Sequence, residues 1–411
     1  MAISAIVGPL ERTEQRPPVG ASDVAVAPKD RFYRPELDLL RFCAFLSVFL
    51  YHVLPGFELS HHTGRLASLF RLEVTVKEAC SLGVCLFFLL SAFLITELLE
   101  RERAHTGSIQ VRSFYVRRIL RIWPLYFSFL FGGIVLGLVI PSYRIEAERI
   151  LAFLLLSGNW YVAAVNCGAS PIAPLWSISL EEQFYVAWPW VAKIGGRTSI
   201  LALSLVLLPI SWLTLFRLSH SGPDAGRIIW VNSFVQFQFF ALGALLALGL
   251  NGRIPRLRMR VRMGILLAGF LTWLTAQWVF GIRGVGPSPS AVSLVSGYML
   301  VAIGCVLLFL GFLGMPRHWV PGPLAYLGKI SYGLYVFHAL AIDCAWKALG
   351  STGSTIFNSV GSALGTATRF SLILTAALVM TILLAMASYR FLEQPFLRMK
   401  ERFTFVRSRR A

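Results

Sequence analysis

The chain has 411 residues, of which 56% are apolar and only 14% charged, against roughly 25% charged in a soluble domain. With a mean hydropathy of +0.68, the apolar surplus needs lipid around it, which excludes a string of soluble domains. A net charge of +18 does not make a nucleic-acid-binding face here, because the basic residues cluster between apolar segments, as in the cytoplasmic loops of membrane proteins.

Residues 1–34 are polar and contain prolines, and read as a disordered cytoplasmic tail; the opening Met1–Val7 has no basic n-region and is no signal peptide. Ten apolar segments then look long enough to span a bilayer, which needs roughly 20 residues, although the fourth is short. They are 37–54, 78–99, 121–140, 180–194, 199–217, 233–250, 263–281, 292–313, 329–349 and 369–391. Arginine-rich stretches at 100–120, 251–262 and 398–410 place those loops and the C-terminus in the cytoplasm, together with the N-terminus. That requires an even number of crossings, so the apolar stretch 149–165 belongs to an external excursion over 141–179 and does not span. The fold class expected is therefore an all-α integral membrane bundle of about ten transmembrane helices, both termini cytoplasmic, with 35–398 as the membrane domain and 399–411 as a basic cytoplasmic tail. Cys43, Cys80, Cys85, Cys305 and Cys344 sit in or beside apolar runs as small hydrophobes. Cys167 lies in an external loop, and no disulfide framework follows.

Ionisable residues inside a span are costly and point to function. The first span carries Asp38, Arg41 and His52. Eleven residues bring Arg41 and His52 back to nearly one helix face, roughly 16 Å apart along the axis. Asp38, one turn below Arg41, is its candidate ion-pair partner. An imidazole can take a proton from a hydroxyl near neutral pH, and a guanidinium can hold a phosphate. A long ligand with a phosphate-rich head and a thin reactive arm fits between them; alternatively, His52 is a packed structural histidine and Arg41 merely the partner of Asp38.

Three further clusters stand out. Arg117, Arg118 and Arg121 border the third span with Trp123 and Pro124, either as a positive-inside anchor or as a phosphate clamp. The run Trp176–Tyr185 places Glu181 and Glu182 at the mouth of the fourth span. Ser179 is a candidate cap there, and the acids either favour a helix start or orient His52 and grip hydroxyls. Gly328–His338 puts His338 inside the ninth span, as a packed or ligand-binding group. Asp343 and Lys347 are spaced to pair, and Glu393 with Arg390 reads as interfacial. No metal signature, P-loop or nucleophile elbow is present.

At these residues the chain resembles the acyltransferase 3 family of membrane O-acyltransferases, over roughly residues 34–398. The resemblance rests on six motifs in order. They are Arg41-x10-His52; Phe87–Thr96, similar to F-F-x-x-S-G-F-L-I-T; Arg117-Arg118-x-x-Arg121; Trp176–Tyr185, similar to W-S-L-S-x-E-x-Q-F-Y; Gly328–His338, similar to G-x-x-S-Y-x-x-Y-x-x-H; and Ser388–Phe396. Ala92 stands where the family has Gly, a mild change wherever φ is negative. Without an SGNH-type domain after the last span, the stand-alone form is expected.

The resemblance implies transfer of an acyl group, with acetyl the expected one, from acyl-CoA to a hydroxyl of a sugar or glycan such as a surface polysaccharide or glycolipid. His52 would be the base, with Glu181 or Glu182 setting its tautomer or binding the acceptor. Arg41, Arg117, Arg118 and Arg121 would hold the acyl-CoA phosphates, and Trp176, Tyr185 and His338 would contact substrate. No permanently bound cofactor, metal or nucleic acid is expected, and the location implied is a bacterial inner membrane. The alternative is a transporter or flippase of acyl or glycan material.

Overall fold

The computed structural model describes residues 33–54, 65–165, 170–282, 289–357 and 362–403. The chain there is helical, with no strand among the described residues. In order run α1 (Pro35–Val53), α2 (Arg65–Ser81), α3 (Gly83–Thr106), α4 (Val111–Val139), α5 (Ala147–Leu154), α6 (Gly158–Ala164), α7 (Leu175–Leu218), α8 (Ala225–Val231), α9 (Ser233–Leu250), α10 (Met259–Phe280), α11 (Ala291–Phe312), α12 (Gly322–Lys329), α13 (Ser331–Phe357), α14 (Ser362–Ser388) and α15 (Gln394–Lys400). A π-helical turn, Tyr389–Glu393, joins the last two. Most of the two expected tails, and Cys167 with its loop, lie outside the described residues. The parts described are tied to the bundle: Arg34 pairs with Glu97 at 2.8 Å, and Arg117 donates to the Phe403 carbonyl at 2.8 Å.

Local chemistry sets the helix ends. Pro35 opens α1, where a missing N–H costs nothing, with Glu36 and Asp38 against the positive end of the helix dipole. Asn232 caps α9 by accepting from Phe234 N and Val235 N at 2.9 and 3.3 Å. Gly107, at φ 73°, closes α3 in the left-handed conformation.

Seven stretches are long and apolar enough to cross a membrane: 71–106, 111–139, 175–218, 233–250, 259–280, 291–312 and 368–400. Together with the apolar side chains that face outward, such as Leu138 at 82% exposure and Val292 at 72%, they make this a multi-pass membrane protein, because water does not tolerate such a surface. The ten expected spans fall largely on helix, with 78–99 running across the break at Leu82 between α2 and α3, but seven such stretches do not establish ten crossings. The count of seven is lower for local reasons. The 44-residue α7 carries two expected spans, bent at Gly196 (φ 57°, ψ −135°). The span 37–54 is α1, which carries the charges of Glu36, Asp38 and Arg41, and 329–349 covers the end of α12 and a stretch of α13 interrupted by His338, Asp343 and Lys347.

The excursion after α4 does not cross. α5 and α6 have 8 and 7 residues, roughly 12 and 10 Å of rise, against a hydrocarbon core of about 30 Å. A half-buried polar knot fixes it to the bundle. Gln183 Nε2 donates to the carbonyl of Leu156 (3.2 Å) and to Asn159 Oδ1 (2.8 Å). Its Oε1 accepts from Ser233 Oγ (2.6 Å) and Trp160 Nε1 (3.3 Å).

Backbones approach closely where side chains vanish, as membrane helices require. A Cβ on Gly83 would lie 2.5 Å from the Ala44 carbonyl oxygen, and one on Gly243 would lie 2.1 Å from that of Leu89. α3 is therefore seated directly against α1 and α9. Ala92 is fully buried inside α3 with negative φ, so the departure from the family's Gly costs the helix nothing.

Two expectations are corrected. Arg262, counted with the arginine-rich loop 251–262, lies inside α10. It is 1% exposed and donates to the carbonyls of Gly311 (2.9 Å), Leu313 (2.6 Å), Gly314 (2.7 Å) and Pro255 (3.2 Å), filling the acceptors that the end of α11 leaves open. Ser179 does not cap α7, which begins at Leu175, a turn earlier. Inside the helix its hydroxyl bonds back to the Leu175 carbonyl at 3.1 Å.

Candidate active site

A cavity of about 270 Å³ opens among α1, α3, α4, α7, α13 and the Tyr389–Glu393 turn. Its charge comes mostly from arginines and lysines. Arg34 and Arg41 descend from α1 and its approach; Arg117, Arg118 and Arg121 come from α4; Lys329 and Lys400 come from α12 and α15. Asp38, Glu102, Glu181 and Glu393 line it too.

Each arginine of the expected clamp has its own setting. Arg41 holds Asp38 at 2.8 Å and also faces the cavity, so the two readings of Arg41 are compatible. Arg117 is a structural tie: it grips the buried Glu102 at 2.7 Å and the Phe403 carbonyl. Arg118 has no ion-pair partner among the described residues. Its guanidinium lies over the rings of Phe114 and Tyr185, at 5.5 and 5.4 Å from their centroids, and faces the cavity. Arg121 completes the arginine stripe of α4, facing the cavity one turn beyond Arg117.

The two adjacent acids of α7 point different ways, as positions 100° apart on a helix must. Glu181 faces the cavity and accepts from the Tyr185 hydroxyl at 2.6 Å; that hydroxyl also meets Ser91 Oγ at 2.5 Å. Glu182 turns away, taking the Trp123 indole N–H at 3.2 Å, with its Oε1 buried and without a hydrogen-bond partner among the described residues. Trp176 is also outside the cavity lining, packed between Phe88 and Trp230.

His52 lies at the opposite end of α1 from Arg41, exposed, with its ring 5.1 Å from that of His338. His338 is 1% exposed. The carboxylates of Glu181 and Glu182 are thus engaged by Tyr185 and Trp123, and the rings beside His52 are the Tyr51 phenol at 4.8 Å and the His338 imidazole. Tyr335 links the two halves of the site. It lines the cavity, bonds Ser177 through its hydroxyl at 2.7 Å, and sets its ring 5.4 Å from that of His338. Phe87 lies edge-on to Tyr335 at 5.8 Å on the cavity side.

Sequence reasoning missed three lining residues. Arg34 precedes Arg41 by seven positions, a helical repeat that places both on one face. Tyr335 sits inside a motif already singled out, with only its hydrophobic spacing to distinguish it. Glu393, expected at the interface, is 6% exposed and faces the cavity beside Ser388, whose hydroxyl it accepts at 3.2 Å; the π-helical turn swings it inward, which no residue pattern foretells. The expected Asp343–Lys347 pair is present at 3.0 Å, with the Tyr143 hydroxyl bonded to Asp343 and Lys347 over the Tyr143 ring. No three His, Cys, Asp or Glu side chains group as metal ligands among the described residues.

Comparison with known proteins completes the picture. The family model described as an acyltransferase domain matches residues 34–390. A Bacillus subtilis protein provisionally named peptidoglycan O-acetyltransferase YrhL is 26% identical over 389 residues, 88% of this chain and 55% of its own length. The Listeria monocytogenes peptidoglycan O-acetyltransferase OatA is 24% identical over 398 residues, 89% of this chain and 56% of its own. A Staphylococcus aureus protein provisionally named O-acetyltransferase SAS0844 is 27% identical over 396 residues, 89% and 57%. The chain therefore spans little more than half the length of the curated relatives it matches. No solved structure matches it.

Proposed function

The chain belongs to the acyltransferase 3 family, and from that premise we propose that it moves an acetyl group from acetyl-CoA, across a bacterial inner membrane, to a hydroxyl of a cell-wall glycan. The names of its relatives put peptidoglycan first among the acceptors. In this reading the bundle crosses the membrane ten times, with both termini and the arginine-lined cavity mouth on the cytoplasmic side and His52 on the outer side. The observation that carries it is the placement of the cationic cavity at one end of α1 and the histidine pair at the other, with Tyr335 touching both.

The donor's phosphates bind at Arg41, Arg118 and Arg121, where guanidinium groups meet phosphate oxygens in matched geometry. Its thin arm passes Tyr185 and Glu181, whose hydroxyl and carboxylate can bond the arm's amides, and reaches Phe87 and Tyr335. Beyond them the thioester carbonyl meets the acceptor hydroxyl, which approaches from outside. His52 takes the hydroxyl proton as the oxygen attacks the carbonyl carbon. The C–S bond breaks, an ester C–O bond forms, and the proton passes from His52 to the departing thiolate, so the products are O-acetyl glycan and free CoA. Holding both substrates in this geometry supplies much of the acceleration.

The test is acetyl transfer in membranes of a deletion strain complemented with wild type or His52→Ala, followed by mass spectrometry of the cell-wall glycans. Wild type should restore an acetyl mass increment and consume acetyl-CoA, while His52→Ala should do neither. Full acetylation by His52→Ala would refute the assignment of the base; no acetyl-CoA consumption by either would refute the donor.

A further inference from the structure

A histidine that acts as a base works best when its other ring nitrogen is held, because that hydrogen bond fixes the tautomer and steadies the ring as it gains charge. In a triad a carboxylate does this. Here neither carboxylate of α7 is in place for it, since Tyr185 holds Glu181 and Trp123 holds Glu182. Two rings lie beside His52, that of Tyr51 at 4.8 Å and that of His338 at 5.1 Å, and of these the imidazole is the one that is fully buried.

His338 has an unusual hydrogen-bonding state. Its Nδ1 lies 2.5 Å from the carbonyl of Tyr335, one turn earlier on α13. A carbonyl can only accept, so Nδ1 carries the proton, and the neutral ring then offers a lone pair at Nε2. That Nε2 is buried and has no hydrogen-bond partner among the described residues. A buried polar atom left unpaired costs about 1–3 kcal/mol, and in a native structure it asks for a reason. An imidazole locked in this tautomer is acceptor-only at Nε2. It cannot stabilise a developing oxyanion, but it can receive an N–H.

The spacing of the two rings fits one donor. A linear N–H···N bond of about 2.9 Å, with each nitrogen about 1.1 Å from its ring centre, sets imidazole centroids about 5.1 Å apart. Those of His52 and His338 are 5.1 Å apart, with the planes tilted by 49°. His52 is exposed, whereas His338 is clamped between Phe45 and Tyr335. Catalytic hydrogen bonds commonly close only once substrate is in place.

We propose that His338 is a positioning residue for His52: its Nε2 accepts the ring N–H of His52, so that the other nitrogen of His52 faces the acceptor hydroxyl with its lone pair free. This is a histidine–histidine pair doing what a histidine–carboxylate pair does elsewhere, without adding a negative charge to the membrane interior, where charge is expensive. It rests on His52 being the base in the reading given above. Tyr335 becomes the residue through which donor cavity and base communicate, since its carbonyl sets the tautomer of His338 and its ring lines the cavity.

The experiment uses the full chain in proteoliposomes, with acetyl-CoA as donor and a purified muropeptide disaccharide as acceptor. Four forms are compared: wild type, His338→Met, His338→Gln and His338→Asn. Gln can place a carbonyl oxygen where Nε2 lies; Asn can place one only near Nδ1; Met fills the space without an acceptor. The expected result is that Met and Asn lower kcat about 10–100-fold, as loss of the outer partner of a working imidazole does. KM for acetyl-CoA should stay within about twofold, because His338 does not touch the donor's phosphates, and Gln should recover most of kcat. A merely packed histidine would give the opposite order, with Met the mildest change and no rescue by Gln. Wild-type kcat in all three variants, or equal loss in Gln and Asn, overturns the proposal. If Met does not fold, the contrast of Gln with Asn decides alone. His52→Ala is run alongside: if it is as active as wild type, the reading of the base fails and this proposal with it. If it is inactive while all His338 variants are unimpaired, only this proposal fails.

Discussion

Arg117 and Arg118 are neighbours in one basic motif, yet the structure gives them different work, and removing each should fail in a different assay. Arg117 pairs with Glu102, whose side chain is 4% exposed against 16% for the arginine. Arg117→Ala strands that carboxylate with the Gln110 backbone N–H as its remaining donor, and it frees the Phe403 carbonyl. Breaking a buried pair costs about 3–5 kcal/mol; with one partner in part solvated, about 3 kcal/mol is the working figure. Spread over the unfolding entropy of a chain this long, that is a fall of about 3–4 °C in thermal midpoint. Arg118→Ala breaks no ion pair among the described residues and loses two ring contacts worth about 0.5–1 kcal/mol each, so its midpoint should fall by about 1–2 °C. If Arg118 grips a donor phosphate, its loss removes a charge-assisted bond of about 1.5–3 kcal/mol, and KM for acetyl-CoA rises about 10–150-fold. The assays are thermal unfolding in detergent and initial rates against acetyl-CoA concentration in proteoliposomes. The reasoning is refuted if Arg118→Ala leaves KM unchanged, or if Arg117→Ala unfolds at the wild-type temperature.

Two further outcomes follow from buried polar groups away from the cavity. Gln183→Leu removes four hydrogen bonds that fasten the excursion and leaves Asn159 and Ser233 short of partners; a loss of about 2–4 kcal/mol is expected, visible as faster proteolytic cutting between α5 and α7 while unfolding of the remaining bundle shifts less. Arg262→Met uncovers the four carbonyls at the end of α11 and the Arg256 loop and should lower the thermal midpoint by several degrees with KM for acetyl-CoA unchanged; an unchanged midpoint would show that those carbonyls find other donors.

Much of the fold is legible because lipid imposes simple rules. Apolar length announces the helices, while 149–165, apolar but without positive charge after it, folds as the two short helices α5 and α6. What hydropathy cannot report is where a helix bends. Gly196 divides α7 through its backbone conformation, not through any loss of apolarity. The site is legible in part. Arg41, Arg118, Arg121, Glu181 and Tyr185 do converge on one cavity, because an ionisable residue in a span has few places to go. Glu182 and Trp176 face elsewhere, since adjacency in sequence says nothing about which side of a helix a residue takes. Glu393 was hidden by a local change of helical pitch, and the neighbour of His52 by the 286 positions between it and His338.

The tight seating of α3 bears on how material could cross. Backbone meets backbone at Gly83 and again at Gly243, so α1, α3 and α9 are seated as one welded block, of which α1 and α3 line the cavity. Sliding or tilting them would drive carbonyl oxygens into Cα atoms, and a machine that alternates between two openings by swinging one half against the other needs the reverse, a seam that gives. A welded frame suits a stationary septum, in which nothing large is carried through and only a flexible arm has to reach the far side.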